Sequence, residues 1–238
     1  MATVDLIGHS FIRNLETYCK GKGITHFNLD PHRFQNFNWR TVTEQGKNIS
    51  RISRFEDIVR SYEDNLLDLP YYAFIEIGGN DIQNYINDSF RDPSGSDFDK
   101  FTGANMAARV LVGARRLLLA GVPVVLLGAA MPRTRRGHWG AAASLSPPHL
   151  QASEYEKWCA EGRSMAITEA FNLHLNRECD KRGARYLYCK KQGMIEPWRP
   201  HIHPDGVHLR GDDQQAKYLE SVRSKLIHHS NHLLGSRH

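Results

Sequence analysis

A serine hydroxyl becomes a nucleophile when a base takes its proton and fixed donors await the oxyanion that forms. Three separate segments of this 238-residue chain offer such groups. Ser10 ends the run Asp5-Leu-Ile-Gly-His-Ser10, where a short apolar stretch gives way to an amphipathic one. A serine between a strand and a helix lies at the sheet edge, close to the N–H groups of the helix N-terminus, which favour negative charge. Serine is also a favoured helix N-cap, and this tripeptide alone reads as a cap. Asn80 ends Ile75-Glu-Ile-Gly-Gly-Asn80, in which Gly79 and its neighbour admit close backbone approach and the amide N–H can hold an oxyanion. Alone, that segment reads as a turn. The third segment is His203-Pro-Asp205-Gly-Val-His208-Leu209. A carboxylate three residues before a histidine reaches its Nδ1 across a tight turn and orients Nε2 toward a serine. His201, His203 and His208 also invite a metal reading, but no carboxylate stands at a recognised metal spacing.

These segments need a scaffold that brings them to one edge. Short apolar runs at Val4–Ile7, Thr25–Leu29, Ala73–Ile77, Val122–Leu127 and Ala184–Tyr188 predict buried strands. Amphipathic stretches near Phe11–Lys22, Ile52–Leu66, Gly103–Ala120, Ser153–Arg182 and Asp213–His228 predict helices. The alternation indicates α/β class, a parallel sheet with helices on both faces. In such sheets ligands bind beyond the carboxyl ends of the strands, which is where Ser10 and Asn80 fall. The segments Pro31–Lys47, Gln83–Lys100, Met131–Leu150 and Cys189–Asp212 show no clear period and are expected to be irregular. Residues 1–229 are expected to form one domain, with 230–238 as a C-terminal tail.

Taken together, the three segments resemble those of the SGNH (GDSL-type) hydrolases, and the resemblance runs from Val4 to about Leu226. It implies a flavodoxin-like three-layer α/β/α sandwich with a five-stranded parallel sheet. It implies Ser10 as nucleophile, His208 as base and Asp205 as its orienting partner, with no cofactor. The oxyanion hole would comprise the Ser10 N–H, the Asn80 side chain and the N–H of a glycine, best matched by Gly46. The family usually has Asp before the serine, whereas His9 stands here. The Gly-His-Ser-Phe sequence resembles an animal subset, with related esterase domains in proteins of LINE-type retrotransposons. Because adjacent side chains at a strand end alternate in direction, His9 is expected to point away from Ser10 and not to be the base. It is grouped with Gly79, Tyr85 and Trp139 as a substrate-side residue, and Phe90 and Trp198 are further candidates for an apolar wall.

Composition narrows the setting. Charged residues make up 24%, which excludes a disordered chain. The net charge of +5 favours anionic partners, nucleic acid among them, yet the basic residues are scattered and the tightest group is Arg133, Arg135 and Arg136. That group is expected on the solvated surface. The four cysteines show no C-x-x-C spacing and are expected to be free thiols in a reducing compartment. No signal peptide or membrane span is read, so a cytoplasmic protein is expected. The expected substrate is an acyl ester, of a small molecule, lipid or carbohydrate. The competing reading keeps the fold as a binding module with catalysis lost.

Overall fold

The computed structural model describes residues 3–30, 35–44, 47–48, 51–89, 97–133, 153–182, 186–189, 208–209 and 211–235. Strands β1 (Thr3–Gly8), β3 (Gln35–Glu44), β5 (Tyr72–Glu76), β6 (Val124–Gly128) and β7 (Tyr186–Cys189) pair in parallel in the order β3-β1-β5-β6-β7. In chain order this is 2-1-3-4-5, the flavodoxin-like winding, whose switch point lies between β1 and β5. Strand β2 (His26–Asp30) adds an antiparallel edge beside β3, and the two-residue β4 (Lys47–Asn48) also pairs with β3.

The five-stranded parallel sheet is present, but its second strand is not the expected one. The Thr25–Leu29 run supplies the antiparallel edge. The parallel place beside β1 goes to Gln35–Glu44, inside a segment read as irregular. Three Asn and Gln side chains in its first four residues mask it. The period-two signal was there in Phe37, Trp39 and Thr41.

Strand parity sorts the core into two layers. Val4, Leu6, Tyr72, Phe74, Val124 and Leu126 face α1 (Ser10–Gly21) and α6 (Gly211–Gly235). Ile7, Ala73, Ile75, Val125 and Leu127 face α2 (Ile52–Glu63), α4 (Asp97–Ala120) and α5 (Glu154–Arg182). Helix α3 (Gly79–Asp88) packs Ile82 and Ile86 into this second layer. Each fully buried Leu, Ile or Phe contributes about 1.5–3 kcal/mol, so these two layers hold the strand ends in place. Helix α3 begins before the stretch Gln83–Lys100 and α4 starts at Asp97, so both eat into that expected loop. The last helix continues past His228 to Gly235.

A buried carboxylate of β1 sits in the second layer. Asp5 is fully buried and accepts two hydrogen bonds from Arg40, at 2.6 and 2.9 Å, and one from the Tyr62 hydroxyl. It ties β1 to β3 and α2 where a bare carboxylate would be costly. Among the described residues, no helix is long and apolar enough to cross a membrane.

Cys19 and Cys179 are free and buried, and burial pushes their thiols up to about 11 and about 12. Since the thiolate is the reactive form, both stay protonated at pH 8. Iodoacetamide is expected to spare them in the folded chain and to modify both in urea, as read by peptide mass spectrometry.

Candidate active site

Ser10 and Asn80 leave the sheet from neighbouring strands. The β1–β5 register sets Gly8 opposite Glu76, so the two turns that follow emerge side by side at the switch point. At Ser10 the cap reading does not hold. His9 occupies the N-cap of α1 with no side-chain cap bond, and Ser10 is the first helical residue. Its N–H belongs to the first turn, which has no carbonyl partners within the helix and can serve an anion.

The turn after β5 is built on glycine. Gly78 has φ +106°, and a Cβ there would lie 2.7 Å from the Phe171 ring. A Cβ at Gly79 would stand 3.3 Å from His9 Nε2 and 3.9 Å from the Arg133 guanidinium. Gly79 is therefore packed between two side chains of the site. Asn80 follows in the first turn of α3, and Arg133 Nη2 donates to its Oδ1 at 2.7 Å. A guanidinium only donates, so the amide oxygen must face Arg133 and the N–H₂ end is turned the other way. The amide's two N–H donors are thereby left directed away from Arg133.

Arg133 corrects an expectation. It is 5% exposed, not a surface charge, and its backbone N–H donates to Ser164 Oγ at 2.8 Å. It enters the site from the end of β6, next to β5, where the chain runs Ala-Ala-Met-Pro after Gly128 with every one of these residues buried. A basic residue following that buried run was the available signal.

His9 corrects another. Its Nδ1 lies 3.3 Å from Ser10 Oγ, and its Nε2 lies 3.5 Å from Glu76 Oε2. The alternation rule ends with the strand. Here the chain turns into a helix at Ser10, and neighbouring side chains no longer oppose each other. Glu76, fully buried, was not singled out from the sequence. Its signal is parity: Tyr72, Phe74 and Glu76 share the face toward α1.

His208 is brought to the same end of α1. Its ring lies 5.8 Å from that of Phe11, the residue after Ser10, and Leu209 anchors it in the α1 layer. Among the described residues, the hydrogen-bond partner of the Ser10 hydroxyl is His9, not His208. Asp205, Gly46 and Trp139 lie outside the described residues, as do Phe90, Trp198, His201 and His203. Tyr85 belongs to a buried polar knot. Its hydroxyl donates to Asp99 at 3.2 Å, and Arg163 stacks over its ring while pairing with Asp99 in bidentate fashion. The knot joins α3, α4 and α5 and fixes Tyr85 by its hydroxyl.

Comparison with known proteins bears on this arrangement through its fold. No protein-family model matches the sequence. No curated protein matches it either. Among solved structures, a member of the lipolytic G-D-S-L family from Veillonella parvula aligns with 94% of this chain and 97% of its own, at TM-score 0.56 and 10% identity. A lipase from a goat rumen metagenome covers the same shares at TM-score 0.58 and 8% identity. An extracellular lipase from Streptomyces rimosus aligns with 94% of this chain and 100% of its own, at 0.52 and 12%. The chain has the SGNH-hydrolase fold. At such identities the likeness is one of fold, and the chemistry has to be argued from the residues.

Gly78→Ala is expected to lower stability by about 2–4 kcal/mol, combining a left-handed backbone with a clash against Phe171. Urea denaturation measures this, and a change below 1 kcal/mol would mean that the turn adapts freely.

Proposed function

We propose that this chain is a serine esterase that hydrolyses acyl esters, small acyl or acetyl groups foremost, through an acyl-Ser10 intermediate. The observation that carries the reading is the pairing of a Ser10 hydroxyl that meets a histidine nitrogen and makes no helix cap with an Asn80 amide turned by Arg133, on adjacent strand ends. A fold shared with lipolytic proteins supports it.

Ser10 Oγ attacks the ester carbonyl while a histidine, His208 in the pattern the sequence resembles, accepts its proton. The Ser10 and Gly46 N–H groups and the Asn80 amide receive the oxyanion. His208, oriented by Asp205, protonates the leaving alkoxide and then activates the water that frees Ser10. Apart from the acyl bond that Ser10 forms and water breaks, the chain's own groups act by proton transfer and charge stabilisation.

An aryl acetate and a stopped or continuous absorbance assay test this. The wild-type chain is expected to turn over, and Ser10→Ala to fall to the buffer rate. Asn80→Ala is expected to lose about 100–1000-fold in kcat, as for other single oxyanion donors. Arg133→Met, which frees the amide to rotate, is expected to lose roughly tenfold or more in kcat with KM within about threefold, because only transition-state binding is affected. A folded wild-type chain that does not accelerate hydrolysis would make it a binding module.

A further inference from the structure

His9 adjoins Ser10, while His208 lies against the ring of Phe11, and the two histidines differ in surroundings. His9 is 2% exposed and bridges the nucleophile to a buried carboxylate: Ser10 Oγ at 3.3 Å from Nδ1, Glu76 Oε2 at 3.5 Å from Nε2. Among the described groups that face it are Glu76 from β5, Arg133 across Gly79 from the end of β6, and the Phe11 ring, 5.5 Å away edge-on. Glu76 lies in ion-pair reach of His9 Nε2. A carboxylate at Nε2 favours the tautomer protonated there, which leaves the Nδ1 lone pair toward the Ser10 hydroxyl. It also stabilises the imidazolium formed when that proton arrives.

We propose that His9, backed by Glu76, takes the proton from Ser10, and that His208 serves the leaving group and the water. The inference rests on the esterase reading and divides its proton transfers between two histidines. In acylation the Ser10 O–H bond breaks and His9 Nδ1 gains the proton as the Oγ–carbon bond forms. The carbonyl electron pair moves to the oxyanion and returns to expel the alkoxide, which takes a proton from protonated His208. In deacylation neutral His208 takes a proton from the attacking water. The departing Ser10 oxygen recovers its proton from His9. Both histidines end as they began, and no further reactant is required.

Fluorophosphonate labelling separates this from a single-histidine site. Fluoride leaves as an anion, so labelling needs the Ser10 proton removed but no acid for the leaving group. Turnover of an alkyl acetate needs both. His9→Asn is expected to lower labelling and turnover together, by about 100-fold. His208→Asn is expected to lower turnover at least tenfold more than labelling. Glu76→Gln keeps the side-chain volume, slows labelling and moves the acid limb of its pH profile to lower pH, because the imidazolium loses its counter-charge. Thermal melts check that each variant folds. If His9→Asn does not fold, the Glu76→Gln profile decides. A superimposable profile for wild type and Glu76→Gln would overturn the proposal. So would His208→Asn losing labelling as completely as turnover. A wild-type chain left unlabelled would instead remove the esterase reading itself.

Discussion

The site depends on the close approach of β1 to β5. Gly8 stands opposite Glu76, and a Cβ at Gly8 would lie 2.3 Å from the Glu76 carbonyl oxygen and 2.6 Å from Ile12. Only a residue without a side chain lets the end of β1 meet both β5 and the first turn of α1. From that contact the Ser10 turn and the Gly78-Gly79-Asn80 turn leave the sheet together. The same register brings Glu76 beneath His9, and β6, on the other side of β5, delivers Arg133 to Asn80. Moving this pairing by one residue would turn Glu76 to the opposite layer and dissolve the arrangement.

Much of this was legible because it is local. The change of period after Ile7 marks a strand running into a helix, and Gly78-Gly79-Asn80 marks a tight exit from the third parallel strand. The helices α1, α2 and α5 fall close to where their apolar spacing puts them. Strand β3 was hidden because its alternation is carried by Phe37 and Trp39 among amides, and its place beside β1 is a matter of topology that no local pattern encodes. His9 departs from the expectation for a geometric reason, since strand alternation ends with β1 at Gly8. Arg133 looks in the sequence like Arg135 and Arg136, which lie outside the described residues, and only the packing after β6 shows that its guanidinium is buried.

The buried polar groups follow one logic. Asp5 is held by Arg40 and Tyr62, Asp99 by Arg163 and Tyr85, and Glu76 faces His9. The first two satisfy a carboxylate with a permanently charged guanidinium and a neutral phenol, and they anchor strands and helices. Glu76 has a partner whose charge changes with one proton. That difference separates a structural pair from one suited to proton transfer. The lipolytic neighbours share the frame that holds these groups, while sequence identity of 8–12% leaves the groups themselves to be judged on their geometry.

The central claim is that Ser10 carries the acyl group, and trapping that intermediate tests it most directly. The chain is acid-quenched during turnover of an aryl acetate, digested and read by tandem mass spectrometry. One acetyl group on Ser10, lost when the reaction is chased before quenching, is the result expected. Acetylation elsewhere with Ser10 unmodified, or turnover with no acylated peptide and full retention of rate in Ser10→Ala, would contradict the account.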